Sequence, residues 1–325
     1  VSAIALFKTN KLYKIGMYKC LFLYIVQINA YISLYTSNYY NELILNEVIH
    51  LVFKAIIPAA GYGTRNLPAT KVVPKELFPI SGRPAIDYIV SEAVNAGIQE
   101  ILIILSRNKT DIMDYFDRSI ELELHLSKHN QDQLIEKIEP PKVCIQYIRQ
   151  PEALGLGHAI QMGKSFAGND PFAVMLPDQV CLTEPSPLLP LIKLYEQYKG
   201  TVIGLQTVET QLLQNYGVVA GKSVKPQIYK LHSIVEKPKF NPPSRHAVMG
   251  RYVLTPEIFT LLEQLKEDEK GEIQLTAALN EMCDSGNVHG YLFKENWYDI
   301  SIEREYINIQ RHAYLKNKSK QQMDL

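Results

Sequence analysis

Neither sign of charge is in excess in this chain of 325 residues: 34 Lys and Arg stand against 34 Asp and Glu. No global field would gather it onto nucleic acid or an anionic membrane, so any anion it binds must be met by local charges. Cysteine is scarce, and Cys20, Cys144, Cys181 and Cys283 form neither a CxxC pair nor a zinc-ligand spacing. A reducing compartment with buried thiols is the expectation. Long apolar runs are missing too. The uncharged stretch from residue 20 to 35 is interrupted by Gln27, Asn29 and Ser33, short of the ~20 apolar residues a spanning helix needs. Disorder and collagenous repetition are excluded by 46% hydrophobic residues, 17 Gly and 18 Pro. What remains is enough chain for one large α/β domain or two modest ones.

The composition is uneven. Residues 1 to 52 hold no proline, one glycine and seven of the 20 tyrosines, with Lys8, Lys11, Lys14 and Lys19 ahead of the first acid, Glu42. A basic lead and a short apolar run, Cys20 to Val26, resemble a secretory signal, but no small-x-small cleavage site follows. This segment is expected to be an extension that adds no chemistry. From Phe53 the punctuation becomes that of an α/β protein. Apolar runs predict strands over 54–58, 100–105, 143–148, 172–176 and 201–206, and helices between them over 85–96, 111–116, 157–166 and 188–198. Most strands read as continuously apolar, so both faces of a mainly parallel sheet should be covered. After about residue 207 strands follow in sequence (218–220, 229–236, 248–254), then helices and a basic tail. The expected organisation is one domain over 53–325 in two parts, about 53–206 and a C-terminally helical part over about 207–325.

In an open parallel sheet, ligands bind beyond the carboxyl ends of the strands. After the first strand comes AAGYGTRNLPATKVVPKELFP, residues 59 to 79. Gly61 and Gly63 allow close backbone approach, Arg65, Lys71 and Lys75 supply cations, and Pro58, Pro68, Pro74 and Pro79 prevent a single helix. It reads as a stiffened anion-binding loop whose amides can cradle a phosphate. The dinucleotide fingerprint fails because position 66 is Asn. The Walker pattern fails because His158 and Tyr216 stand where the two GKS sequences would need an upstream glycine.

Three other strand ends carry charge: Asp178 in MLPDQV, Glu236 and Lys237 in IVEKPK, and Asp299 in NWYDIS, where it opens the terminal helical stretch. Singly, these read as a turn former, an exposed ion pair and an N-cap. Jointly, two aspartates could hold Mg²⁺, with Arg65, Lys75 and Lys237 balancing phosphates. No activated Ser, Cys or His is evident. Phosphoryl or nucleotidyl transfer needs none, because an ionised phosphate is already a nucleophile.

The segments GYGTRNLPATKVVPKELFPISGRPAIDYIV, RQPEALGLGHAI, LPDQV, YGVV, VEKPK, GRYVL and GEIQLTAAL occur in the order seen in bacterial UTP:glucose-1-phosphate uridylyltransferases, and the chain resembles that family over about residues 53 to 315. The GxGTR and PKE motifs are shared with the wider sugar-nucleotidyltransferases. The resemblance implies an α/β, Rossmann-like three-layer fold with a mainly parallel central sheet. It implies Mg²⁺-dependent formation of UDP-glucose and pyrophosphate from UTP and glucose 1-phosphate, in the cytoplasm, by a homo-oligomer (dimer or tetramer).

By motif, the resemblance implies that the backbone of Ala59, Ala60 and Gly61 approaches the nucleotide and that Arg65 and Lys75 face its phosphates. Gln150 and Gly155 would read the uracil, with His158 nearby but not as a base. Asp178 and Asp299 would hold Mg²⁺. Gly217, Glu236 and Lys237 would receive the sugar phosphate, and Arg251 with Gly271 to Thr276 would shape the sugar side or the packing. The sequence departs from the family at Ile300-Ser301, where a glycine usually stands two after the aspartate, at Arg245-His246, and at Leu154 in place of a lysine. A Cβ at position 301 is expected to clash if the backbone there turns left-handed. A sibling transferase with another nucleotide or sugar, and a non-catalytic sugar-nucleotide binder, remain alternatives.

Overall fold

The computed structural model describes residues 52–323, with side chains through residue 318; apart from Val52, the expected extension lies outside the described residues. In chain order, β1 (Lys54–Ala59) leads into a loop of three 3-10 turns, and β2 (Pro79–Ile80) and β3 (Arg83–Pro84) form a small hairpin. There follow α1 (Ala85–Asn95), β4 (Glu100–Leu105), α2 (Asp111–Phe116), α3 (Ile120–Lys128), α4 (Asp132–Ile135) and β5 (Cys144–Arg149). Next come α5 (Gly155–Met162), α6 (Lys164–Ala167), β6 (Phe172–Met175), β7 (Gln179–Cys181), α7 (Leu188–Tyr198) and β8 (Thr201–Thr207). The remainder is β9 (Gly217–Lys225), β10 (Ile228–Glu236), β11 (His246–Leu254), α8 (Glu257–Gln264), α9 (Leu275–Asp284), β12 (Val288–Leu292), β13 (Trp297–Asp299) and α10 (Glu303–Met323).

Nine strands make one sheet in the order β5-β4-β1-β6-β11-β8-β12-β10-β9. Its two faces bury separate cores, as the unbroken apolar strands require. Ala55, Ile57, Ile101 and Ile103 point into one core, which α1, α7 and the α10 residues Ile309 and Ala313 complete. Ile56, Leu102 and Ile104 point into the other, against α5, α8 and α9. The period of two along each strand therefore sends neighbours to opposite layers. Each covering helix presents a matching stripe: Ile86, Ile89, Val90 and Ala93 on α1, and Leu275, Ala278, Leu279 and Met282 on α9.

The sheet is less parallel than expected. β5, β4, β1 and β6 run parallel, as do β8 and β12. By contrast, β11 is antiparallel to both β6 and β8, and β10 to both β12 and β9. For β9 and β10 connection length is the reason: residues 226–227 alone join them, and so short a turn permits only antiparallel neighbours. β9 also meets β11, through Val218 and Ala247, so this flank curls toward itself. The helix expected over 157–166 is two, α5 and α6, interrupted at Gly163. β12 and the β7–β13 pair were not foreseen, and the latter is what assembles the site.

Candidate active site

A cleft of about 650 Å³ opens beyond the carboxyl ends of β1 and β6. Its floor is the loop after β1, where the prolines break the chain into turns at Thr64–Asn66, Ala69–Lys71 and Lys75–Leu77. The first turn brings Arg65 and the third brings Lys75 to the cleft, which Ala60 and Gly61 also line. Ala59 is a fully buried end of β1 and does not line it, nor does Lys71.

Asp178 lies in the turn between β6 and β7, and Asp299 is the last residue of β13. The antiparallel pairing of β7 with β13 sets Asp299 opposite Gln179, and the Ile300 N–H donates to the Asp178 carbonyl at 2.9 Å. Two aspartates far apart in sequence thus share one corner. Lys75 Nζ sits 2.6 Å from Asp178 Oδ2. The Arg65 guanidinium lies 3.2 Å from Asp299 Oδ2 and 3.8 Å from Asp178 Oδ2. Asp299 does not open the terminal helix, which begins at Glu303. Its Oδ1 accepts the Ser301 N–H at 2.9 Å instead.

The condition for a clash at position 301 is not met. Ser301 is not among the residues with positive φ, so its Cβ meets no left-handed backbone. Its hydroxyl donates to Asp178 Oδ2 at 3.3 Å.

The electrostatics of the corner are asymmetric. Burial works to raise the Asp178 carboxyl, but the charge and hydrogen bond of Lys75, with Arg65 behind them, hold it below its ordinary value. Burial and the neighbouring Asp178 raise Asp299 above its own, Arg65 opposing. For Lys75 the order is the same in mirror image: burial lowers it, and Asp178 with Glu76 outweighs that and holds it up. A half-buried and a buried carboxylate sharing one guanidinium, Asp178 and Asp299, are a hard-oxygen donor pair. They fit Mg²⁺, which takes one or two carboxylates and completes its shell with phosphate oxygens and water. Among the described residues no cluster of three or more His, Cys, Asp or Glu could hold a metal by itself.

Gln150 and Gly155 line the same cleft. Gly155 opens α5 at φ +90°, where a Cβ would lie 2.9 Å from the Ile273 carbonyl. That close approach lets the Gly157 N–H donate to the Ile273 carbonyl and the Ile273 N–H to the Leu154 carbonyl, both at 2.8 Å. The segment Gly271 to Thr276 therefore braces the first turn of α5, and its Glu272, Gln274 and Thr276 line the cleft. There Gly217, first in β9, pairs with Glu236, last in β10. Both line the cleft with Lys237, whose ammonium lies 2.8 Å from Glu236 Oε1. Lys237 holds φ +44°, a strained conformation for a side-chain-bearing residue.

Two buried ion pairs stand behind these groups, and neither was predicted. Lys109 donates to both oxygens of Glu76 at 2.9 and 2.8 Å, anchoring the turn that carries Lys75. Arg251, fully buried, forks onto Glu92 with two 2.8 Å bonds and also donates to the carbonyls of Leu176 and Gln179, on either side of Asp178. Gly250, at φ +61° in a β11 irregularity, makes room for this, since a Cβ there would lie 2.9 Å from Leu176. Arg251 is thus a scaffold residue. The only sequence signal for either pair is a charge inside or beside an apolar strand, which does not name its partner.

The Nucleotidyl transferase family model matches residues 54–314. A UTP–glucose-1-phosphate uridylyltransferase of Bacillus subtilis is 44% identical over 252 residues, spanning 77% of this chain and 85% of its own. One from Pseudomonas aeruginosa is 40% identical over 269 residues, covering 81% and 96%. The crystal structure of a UDP-glucose pyrophosphorylase complexed with UDP-glucose superposes with a TM-score of 0.73 at 39% identity, over 82% of this chain and 99% of the other.

Proposed function

The chain belongs to the nucleotidyl transferase family, and we propose on that footing that it transfers UMP from UTP to glucose 1-phosphate, giving UDP-glucose and pyrophosphate. The observation that carries this reading is the meeting, in one cleft, of the loop cations, the two aspartates and the Glu236-Lys237 pair. The relatives and the superposed structure, named for this reaction and its product, support the choice of substrates. We read the helix-covered sheet as the Rossmann-like three-layer arrangement, with one curled flank.

In this reading Ala60 and Gly61 bring backbone to the triphosphate, and Arg65 and Lys75 move from the aspartates to its oxygens. Asp178 and Asp299 would hold Mg²⁺, which when bound supplies positive charge to the phosphates. Glu236 accepts from the sugar hydroxyls and Lys237 pairs with the sugar phosphate. An oxygen of that phosphate, already ionised, forms a bond to the α-phosphorus while the bond to the β-phosphate oxygen breaks in line. Pyrophosphate carries away the electron pair, so no side chain has to remove a proton. Catalysis is then alignment plus charge stabilisation, in which one well-placed donor is worth about 3 kcal/mol. Pyrophosphate release with UTP, glucose 1-phosphate and Mg²⁺, beside dTTP and metal-free controls, tests it. Release independent of metal, or equal with dTTP, would count against it.

Cytoplasmic location belongs to the same reading, supported by the free thiols of Cys144, Cys181 and Cys283. Among the described residues no helix is long and apolar enough to cross a membrane. A homo-oligomer is supported by Ile307, Tyr314 and Leu315, exposed apolar residues at helical spacing on α10. Light scattering of the purified protein tests that part.

A further inference from the structure

We propose that His158 selects the base by fixing which end of the Gln150 amide faces the cleft. This rests on the reading above in which Gln150 reads the nucleobase. The Gln150 side chain is buried at the end of β5, and its Nε2 has two neighbours. It donates to the Gly155 carbonyl at 3.4 Å, and it lies 2.8 Å from His158 Nδ1. A carbonyl can only accept, so the amide nitrogen and not the oxygen belongs at that end. Nδ1 of His158 must then accept as well, which places the ring proton of the neutral imidazole on Nε2.

The carbonyl of Gly155 is itself held. The backbone bonds of Leu154 and Gly157 to Ile273 fix the first turn of α5 against its neighbour. His158 lies three residues further along the same helix, so both acceptors belong to one rigid element. Together they occupy both protons of the Gln150 amide. Oε1 is left over: it receives no hydrogen bond among the described residues and is not one of their buried unsatisfied atoms. It is therefore open to the cleft that Gln150 lines.

An amide that can show only its oxygen demands a donor. With N3 of the base opposite Oε1, uracil and thymine donate N3–H and satisfy it, whereas cytosine sets a lone pair against a lone pair there and carries its donor one position away, on N4. A site built around one hydrogen bond rejects the analogue lacking its partner far more strongly than a hydrophobic pocket rejects a missing methylene. Without the imidazole acceptor only the long 3.4 Å contact with the Gly155 carbonyl opposes rotation of the amide, so Gln150 can turn more readily and offer Nε2 to cytosine. His158 is thus a positioning residue for specificity, and it does not touch the reacting atoms.

The test is the ratio of kcat/KM for UTP to that for CTP in the full-length protein, with glucose 1-phosphate as acceptor. It is measured for wild type, His158→Leu, His158→Phe, His158→Asn and Gln150→Ala. Circular dichroism and melting curves establish which variants fold, and either apolar replacement suffices. The ratio should fall at least about tenfold in the apolar variants. It should recover most of its wild-type value in His158→Asn, whose Oδ1 restores an acceptor near Nδ1. A ratio unchanged in a folded apolar variant, while Gln150→Ala collapses it, would overturn the role of His158 alone. A ratio unchanged in Gln150→Ala as well would overturn the base-reading assignment and the proposal with it.

Discussion

The hydroxyl of Ser301 donates to Asp178 Oδ2 at 3.3 Å, while its own backbone N–H holds Asp299 Oδ1 at 2.9 Å. One residue thus ties the two carboxylates together. The serine adds a donor to the corner that glycine would leave without a side chain.

Replacing Ser301 by Gly or Ala should remove the hydroxyl and spare the backbone bond. A loss of about 1 kcal/mol in stability is expected, with turnover changed less than about tenfold. Ser301→Val should cost more, because a branched side chain without a donor must enter a buried site. Urea denaturation and pyrophosphate release measure the two quantities.

Asp178→Asn and Asp299→Asn should each lower turnover at least about a hundredfold while leaving a folded protein. The decisive comparison is a Mg²⁺ titration of activity, whose midpoint should move to higher metal in both variants. Chelation of the wild type should abolish release, and added Mg²⁺ should restore it. Full turnover in Asp178→Ala would contradict the assignment of this corner.

Lys109→Met should be among the more damaging single changes, since it strands Glu76 buried and unpaired. The cost expected is about 3–5 kcal/mol, and the double variant Lys109→Met/Glu76→Gln should recover a large part of it. Because Glu76 neighbours Lys75 on one turn, the single variant should also weaken binding of UTP. Denaturation midpoints and UTP titrations of the variants check both halves.

Arg251→Met should destabilise by about 3–5 kcal/mol for the same reason, leaving Glu92 without its fork. Arg251→Lys should not rescue it, because an ammonium cannot serve Glu92 and the carbonyls of Leu176 and Gln179 together. Thermal melts of the two variants decide the point.

Thiol labelling at neutral pH should find Cys144, which is exposed, and spare Cys181 and Cys283. Burial pushes these thiols up to about 12 and about 11, with Glu92 adding to the first and Asp284 to the second. Both should react once denaturant is added, since the reactive species is the thiolate. Mass spectrometry of alkylated peptides distinguishes the sites.

Local chemistry was legible wherever it is written in adjacent residues. Apolar runs such as EILIIL marked β4, and the glycines and prolines from Gly61 to Pro79 marked a loop that is indeed a string of short turns. The motifs pointed to Arg65, Lys75, Asp178, Glu236 and Lys237, and all five line the cleft. Asp299 does lie in one corner with Asp178 but ends a strand instead of opening a helix, because three residues of strand, WYD, carry too little pattern to stand out beside a following helix.

What the chain's residues settle alone is the class of fold and the kinds of groups available, since periodicity and turn chemistry act over a few neighbours. Which partner each buried charge finds is a matter of long-range packing. Glu76 meets Lys109 and Glu92 meets Arg251 only because the sheet order brings separate segments together, and Asp178 meets Asp299 only because β7 pairs with β13. A buried charge or amide must be paired wherever the fold puts it, and that requirement names no partner until the strands are in register.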